Sequence, residues 1–213
     1  MKDIPVFDTQ TGVSTLVLKE IPYKRIAYVK VQSVQPGGLE EHLRECVSFC
    51  RMCGAERILA SGHPELEQRP LYCRVLKLRA AAQNHKPPAS VFPVTEETVR
   101  RWRELYNEKM GPVDNAATMT AHDENEIVSS GGAYFVHDGE GLLGIGWVRE
   151  HEILCVAAVQ PGAGELVLGT LLTLTGDEPA ELEVASTNER ALRLYARMGF
   201  VTVEERSSWY QIY

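Results

Sequence analysis

The stretch NERALRLYARMGF, residues 188–200, carries the strongest pattern in the chain. Asn188 is a favourable helix N-cap, because its side chain accepts a hydrogen bond from an N–H group of the first turn. Gly199 suits the left-handed backbone that commonly follows a helix. Apolar residues recur between them at helical spacing. The stretch therefore predicts a helix over 188–198 whose apolar side is formed by Ala191, Leu192, Leu194, Tyr195 and Met198.

The residues before and after this helix predict a mixture of strands and helices. Runs of β-branched and aromatic residues indicate strands, and apolar residues three and four apart indicate helices. From residue 91 the predicted elements are a strand at 91–94, a helix that begins at a Thr95 N-cap and ends at 110, a helix at 118–130, strands at 133–137, 142–149 and 152–159, a helix at 165–173, a strand at 180–186, and a closing hairpin of 200–205 and 209–213. Before residue 80, strands are predicted at 13–18, 25–34, 57–60 and 71–78, and a helix at 39–53.

Two segments of the chain resemble each other. Residues 34–61 and 159–186 align without gaps; both begin with Val-Gln-Pro-Gly and end with Ala-Ser. Each predicts a strand, a loop, a helix and a second strand. Similarity of this kind indicates a duplicated unit, and chance similarity between two β-α-β units is the alternative. The small and polar residues 80–90 predict a linker between the two halves.

Length, charge and composition exclude several classes of protein. A chain of 213 residues falls between one and two domains of about 150 residues. The net charge of −7 disfavours nucleic-acid and anionic-membrane partners, which need a basic surface. The N-terminal residues lack the apolar region of a signal peptide, and no apolar run is long enough for a membrane helix. We therefore expect a cytoplasmic protein with neither of those partners.

The cysteines and one glycine pattern are interpreted structurally. Five cysteines, an odd number, favour reduced thiols, and the Cys50/Cys53 pair lacks the further ligands of a zinc site. We expect free thiols and no metal. Residues 139–144 match G-x-G-x-x-G, but a strand pattern follows where a dinucleotide site needs a helix. Asp138-Gly139 predicts a hairpin turn instead.

Residues 91–213 resemble the GCN5-related N-acetyltransferase (GNAT) superfamily. The order of predicted elements matches that family, and residues 188–200 match its pattern N-x-x-A-x-x-L-Y-x-x-x-G-F. The resemblance implies an α/β (α+β) GNAT fold with a central, mostly antiparallel mixed sheet flanked by helices. The repeat adds a partial GNAT-like α/β half before it. We expect a noncatalytic domain at 1–85 and an acetyltransferase domain at 91–213.

The resemblance also implies a site for acetyl-CoA, the acyl donor of that family. There, a splayed strand pairs with the pantetheine arm, and the following loop and helix N-terminus hold the pyrophosphate. The family loop reads V-x-P-x-x-R-G-x-G-x-G, and Gly164 and Glu165 stand where its arginine and first glycine are expected. Backbone N–H groups would then hold the phosphates. The implied cofactor-binding residues are Ala157, Ala158, Val159, Gly162, Ala163, Gly164, Glu165, Leu166, Gly169 and Asn188.

Catalytic residues are likewise implied. The tyrosine that matches Tyr195 protonates the leaving thiolate in that family, and a packing tyrosine is the alternative. A base is expected near the strand that receives the acetyl group, where Glu152 is the first candidate and His151 lies beside it. The region that covers the acceptor in that family contains a charged group that would suit a cationic amine, formed by His122, Asp123, Glu124 and Glu126.

The sequence therefore predicts an acyl-CoA-dependent N-acyltransferase, a GNAT-type acetyltransferase, that moves an acetyl group from acetyl-CoA to a primary amine by direct attack. The alternative is a catalytically degenerate GNAT-fold module that binds coenzyme A or a partner protein. The predicted C-terminal hairpin, with Trp209, Tyr210 and Tyr213, would allow pairing with a second copy in a homodimer.

Overall fold

A computed structural model describes residues 5–82 and 88–213. The chain divides into two compact units. Unit 1 comprises the residues up to Arg74 together with Arg206–Tyr213, and unit 2 comprises Val75–Glu205. The predicted linker at 80–90 lies partly on residues 83–87, outside the described residues, so the predicted domain limits of 85 and 91 stay a prediction.

Unit 1 is built on a sheet with the strand order β1-β2-β3-β4-β11, to which β11 contributes its C-terminal end. The β1, β2 and β3 strands are antiparallel, β3 and β4 are parallel, and β11 pairs antiparallel with β4 through Tyr210 and Ala60. The elements are β1 (Val6–Asp8), β2 (Gly12–Val17), α1 (Ile21–Lys24), β3 (Ile26–Val34), α2 (Leu39–Met52), β4 (Arg57–Ser61), a 3₁₀ turn (Pro64–Gln68), and the ends of β5 (Leu71–Ala80) and β11 (Val201–Gln211).

The core of unit 1 lies between α2 and its strands. Apolar residues of α2 repeat at helical spacing, so one side of the helix is buried: Leu39, Leu43, Cys46 and Cys50 pack with Leu16, Val29 and Ile58, among others. The fully buried His42 lies on that side. Its Nδ1 is 2.8 Å from the Thr9 hydroxyl and its Nε2 is 2.7 Å from the Ser14 hydroxyl, so both ring nitrogens have partners.

Unit 2 has the strand order β5-β10-β9-β8-β7-β6. The β6, β7, β8 and β9 strands are antiparallel neighbours, β9 and β10 are parallel, and β10 and β5 are antiparallel. Its further elements are β6 (Ser90–Pro93), α3 (Val99–Met110), a 3₁₀ turn (Ala121–Asp123), α4 (Glu124–Ser130), β7 (Ala133–His137), β8 (Leu142–Arg149), β9 (Glu152–Ala158), α5 (Gly164–Leu172), β10 (Ala180–Ala185) and α6 (Glu189–Arg197).

The helix α5 packs directly on the sheet of unit 2. Its Val167, Leu168 and Leu171 are fully buried. The strand β8 approaches this helix through Gly144 and Gly146, which leave room for Val167 and Leu171 respectively. The glycines therefore set how closely α5 can lie on β8.

The two similar segments have the same topology. In each unit a strand pairs antiparallel with its predecessor and is then followed by a loop, a helix and a parallel strand. The helices α2 and α5 begin at Leu39 and Gly164, which are aligned positions in the repeat. The local fold thus follows the repeat in the sequence.

Several local predictions differ from the structure. The predicted closing hairpin is wrong, because Val201–Gln211 forms one continuous strand; Ser207 and Ser208 do not require a turn. The helix predicted to begin after Thr95 begins after Thr98, since residues 95–98 form a preceding turn in which Thr98 N–H donates to Thr95 O. The helix predicted at 118–130 is confined to the 3₁₀ turn and α4.

Other local predictions are confirmed. Residues 138–141 form the hairpin turn between β7 and β8, where Gly139 has a φ of +98° and the Asp138 Oδ1 accepts hydrogen bonds from the N–H groups of Glu140 and Gly141. All five cysteines are free thiols; Cys53 is exposed and the other four are buried. No helix in the described part of the chain is long and apolar enough to span a membrane.

We predict that Gly144→Ala destabilises the protein, because the added methyl group would lie 2.5 Å from the carbonyl oxygen of Ala157 and 2.7 Å from Cγ2 of Val167. Overpacking of this kind costs about 1–3 kcal/mol of the free energy of unfolding. Chemical denaturation measures it. The control is Gly141→Ala, whose methyl group would meet only the end of the Gln160 side chain, 3.3 Å away. It should change stability by less than about 0.5 kcal/mol; equal losses in both variants would contradict the prediction.

We also predict that protonation of His42 opposes folding. Burial is the main cause that lowers the pKa of His42 below 6.5. The unfolded chain therefore binds a proton on this residue at a higher pH than the folded chain, and stability is lost as the pH falls below 6.5. Denaturation at pH 7.5 and 5.5 should show a smaller pH-dependent loss in His42→Gln than in the wild type. The control variant His122→Gln replaces an exposed histidine, and it should lose as much stability between pH 7.5 and 5.5 as the wild type does.

Candidate active site

The candidate site lies where β9 and β10 separate. Their ladder consists of Glu152 with Glu181 and Ile153 with Leu182, and the rest of β9 has no ladder partner on β10 among the described residues. In unit 1, by contrast, the equivalent strands β3 and β4 pair over all five residues of β4. The backbone edge of Val156–Ala158 that faces away from β8 is therefore left for another partner.

A cavity of about 540 Å³ opens at this separation. It is formed by the end of β9, the loop and first turn of α5, the end of α3 with its following loop, and α6. The lining residues are Lys109, Met110, Pro112, Val113, Asp114, Val156, Ala157, Ala158, Gly162, Gly164, Glu165, Thr187, Asn188, Arg190, Ala191, Leu194, Tyr195 and Arg197.

The N-terminus of α5 borders this cavity. Ala163 occupies the N-cap position and has no side-chain capping bond. The first bond within the helix runs from Val167 N–H to Ala163 O, so the N–H groups of residues 164–166 precede the helical ladder. Such groups carry a partial positive charge that favours an anion. Gly162, with a φ of +85°, makes the turn into this helix.

Cationic side chains supply further positive charge. Arg190 and Arg197 line the cavity from α6, and Lys109 lines it from α3. Glu165, the anion that the sequence places near the expected phosphates, is 2.8 Å from Nε of Arg197 and is thereby neutralised. The sequence reasoning missed these cations, although the seven-residue spacing of Arg190 and Arg197 places them on one side of α6.

Tyr195 projects from α6 into the same cavity and is only 7 % exposed. Its hydroxyl has no hydrogen-bond partner among the described residues. Burial raises the pKa of the Tyr195 phenol well above its usual value, and the nearby Cys155 thiol adds to that rise. Burial also raises the pKa of Cys155 to about 12. Both groups are therefore protonated at neutral pH, and the phenol is available as a proton donor.

Asn188 caps α6. Its Oδ1 accepts a hydrogen bond from the N–H of Ala191 at 3.1 Å, and the residue lines the cavity beside Thr187. The predicted capping role is thus confirmed. A contact between Asn188 and a cofactor stays a prediction.

The structure brings together part of the predicted cofactor-binding set. Ala157, Ala158, Gly162, Gly164, Glu165 and Asn188 all line the cavity, together with Tyr195. Four other predicted residues do not line it. Val159 N–H donates to Leu143 O, Ala163 is the buried N-cap of α5, Leu166 lies on the outer side of its first turn, and Gly169 packs near Pro88 and Met198.

Glu152 is not brought to the cavity. It lies four residues before Val156, about 13 Å along the strand at about 3.3 Å per residue. His151 beside it belongs to a charged group, with its Nδ1 3.2 Å from Glu178 and its Nε2 3.7 Å from Glu181. Hydrogen bonds from two cationic side chains hold the pKa of the Glu181 carboxyl below its usual value; Lys77 has the larger effect and Arg79 the next. This end of β9 is therefore stabilised by its own ion pairs.

The charged residues 122–126 also lie outside the cavity lining. Asp123 forms a capping box with Thr120, and Glu124 is 2.7 Å from Nε of Arg103 on α3. These contacts hold the 3₁₀ turn and α4 in place. A role of these residues toward an acceptor has no support from their positions.

Solved structures of other proteins superpose on this chain and show a similar fold. No protein-family model and no curated protein matches the sequence. A GCN5-related N-acetyltransferase from Sphaerobacter thermophilus superposes with a TM-score of 0.58 at 15% identity, over 94% of this chain and 76% of that one. An acetyltransferase of the GNAT family from Colwellia psychrerythraea gives 0.55 at 14% identity, over 97% and 84%.

A GCN5-related N-acetyltransferase from Kribbella flavida is similar over the greatest part of both chains among these three. Its TM-score is 0.56 at 12% identity, and the match covers 99% of this chain and 89% of that one. Structural similarity at sequence identities this low establishes the fold alone. The chain therefore has the fold of the GCN5-related N-acetyltransferases, a mixed sheet flanked by helices, as residues 188–200 predicted.

Proposed function

We propose that the chain is an acyl-CoA-dependent N-acyltransferase that acetylates a primary amine. The separation of β9 from β10 carries this proposal, because it joins three features in one cavity. These are an unpaired backbone edge at Ala157–Ala158, an uncapped helix N-terminus at α5, and the protonated phenol of Tyr195. The GNAT fold of the solved acetyltransferases supports it.

The residues present fit acetyl-CoA. The pantetheine arm carries amide groups, which would pair with the backbone of Ala157 and Ala158 as a short additional strand. The N–H groups that begin α5 would hold the pyrophosphate, and Arg190 and Arg197 would balance its charge. Glu165 does not oppose binding, since Arg197 already pairs with it.

In the proposed reaction the acetyl group passes directly from the thioester to the amine, without a covalent enzyme intermediate. The amine nitrogen attacks the thioester carbonyl carbon, a C–N bond forms and the C–S bond breaks. The nitrogen loses one proton and the sulfur gains one. Tyr195 donates the proton to the departing sulfur and is reprotonated through solvent from the amine. Its raised pKa keeps the proton available at neutral pH.

The N-terminal domain proposed at residues 1–85 is noncatalytic. The parallel pair β3 and β4 stays closed along all of β4, so no equivalent edge is open for a pantetheine arm. The acetyltransferase domain proposed at 91–213 contains every residue that lines the cavity.

A catalytically degenerate module that binds coenzyme A or a partner protein is the second candidate. It is favoured by the loop, where Gly164 and Glu165 replace the arginine and first glycine of the family pattern. The two candidates differ in turnover, so a measurement of amine acetylation separates them.

We predict that the protein binds acetyl-CoA and that Tyr195→Phe lowers kcat at least about tenfold, because a positioned general acid contributes about 10²-fold or more. The affinity for acetyl-CoA, measured by calorimetry, should change little. Tyr213→Phe, a substitution in unit 1, is the control and should leave kcat unchanged. If acetyl-CoA does not bind at millimolar concentration, the proposed acyltransferase activity is wrong. If kcat is unchanged in Tyr195→Phe, the proposed role of Tyr195 as general acid is wrong.

We further predict that Arg197→Gln weakens acetyl-CoA binding more than Arg190→Gln, because it also leaves Glu165 unpaired beside the phosphates. A loss of about tenfold is expected for one charge-assisted contact. The double variant Arg197→Gln/Glu165→Gln should recover part of the loss. Arg193→Gln, on the same helix but outside the cavity lining, is the matched control. Equal affinities in all four proteins would show that the phosphates lie elsewhere.

A further inference from the structure

Among the described residues that line the cavity, two are carboxylates, and their surroundings differ. Glu165 faces Arg197 at the N-terminus of α5. Asp114 belongs to the loop after α3 and is half-buried. Its Oδ2 accepts a hydrogen bond from the Thr187 hydroxyl at 2.7 Å. Asp114 therefore places a carboxylate that is not paired with Arg197 in a cavity that Lys109, Arg190 and Arg197 also line.

The backbone fixes the position of Asp114. Val113 N–H donates to Met110 O at 2.9 Å, and Ala116 N–H donates to Val113 O at 3.3 Å, so the loop turns tightly after the helix. Asn115 adopts a φ of +60°, a left-handed conformation that asparagine tolerates better than most residues. The carboxylate thus lies on an ordered turn, held from the other side by a hydroxyl.

Thr187 connects the Asp114 carboxylate to α6, the helix that carries Tyr195. It lies between the end of β10 and the Asn188 cap of α6. The side chains of a helix point toward its N-terminus, so Tyr195 projects back in the direction of Thr187. The Asp114–Thr187 pair therefore lines the same cavity as Tyr195 and the open backbone edge at Ala157–Ala158, where a thioester would be held.

We propose that Asp114, oriented by Thr187, binds the acceptor and selects a positively charged primary aliphatic amine. This inference rests on the acyltransferase activity proposed for the same cavity. The amine enters as an ammonium ion and is attracted to the carboxylate of Asp114. Before the attack the ammonium gives one proton to solvent water. The neutral amine then attacks the thioester, and no further reactant is needed.

The test compares two acceptors that differ in charge, n-butylamine, which is cationic at pH 7.5, and aniline, which is neutral. Asp114→Asn should raise KM for n-butylamine about tenfold or more, the loss expected for one charge-assisted hydrogen bond, with a much smaller change in kcat. Its kcat/KM for aniline should stay within about twofold of the wild type. Thr187→Val should raise KM for n-butylamine in the same direction by a smaller factor.

The controls separate this inference from the activity on which it rests. The affinity for acetyl-CoA, measured by calorimetry, shows whether each variant is folded and binds the donor. If Asp114→Asn does not fold, the KM of Thr187→Val for n-butylamine tests the acceptor site instead. Glu104→Gln removes an exposed carboxylate of α3 that does not line the cavity, and it should behave as the wild type. Equal losses with both acceptors, or a wild type that acetylates aniline in preference to n-butylamine, would overturn the role of Asp114. A wild type that binds acetyl-CoA and acetylates neither amine would overturn the acyltransferase activity itself, and the acceptor site with it.

Discussion

The early end of the β9–β10 ladder is the constraint on which the candidate site depends. Two strands that pair satisfy each other's N–H and C=O groups, and two strands that separate leave those groups to water or to a ligand. Here the pairing ends after Ile153 and Leu182. Within the described part of the chain, the remainder of β9 is paired with β8 alone. The helices that follow the two strands, α5 and α6, line the resulting cavity. Donor binding, proton donation and acceptor binding are all proposed at this one opening.

Unit 1 shows how the same local topology behaves without that opening. Its β-α-β segment shares the Val-Gln-Pro-Gly start and the relative position of the helix, yet β4 stays paired with β3 along its length. The element after the second strand also differs, since a short 3₁₀ turn at Pro64–Gln68 stands where unit 2 has α6 with Asn188 and Tyr195. The two similar segments therefore differ in strand pairing and in the next element of the chain, rather than in the order of strands and helices.

Much of the fold could be predicted from local patterns. Residues 188–200 predicted the helix, its cap and the fold family, because cap, apolar spacing and terminal glycine all depend on neighbours within a turn or two. Arg190, Arg197 and Asp114 could not be assigned in the same way, since their place in the cavity depends on how α6 and the loop after α3 pack. Glu152 had suitable chemistry, but its distance from the cavity depends on which end of β9 separates from β10. The local sequence predicts a hairpin at the C-terminus because Ser207 and Ser208 are compatible both with a turn and with a continuous strand.

Unit 1 completes its sheet with residues that come after the whole of unit 2 in the chain. Arg206–Tyr213 belong to unit 1, where Tyr210 and Gln211 pair with β4. During synthesis on the ribosome, Leu59 and Ala60 of β4 therefore present an open strand edge until residues 206–213 emerge. Such an edge is a template for pairing with other chains. The sheet of unit 1 is thus completed only after unit 2 has been synthesised, and until then its β4 edge is open to pairing with another strand.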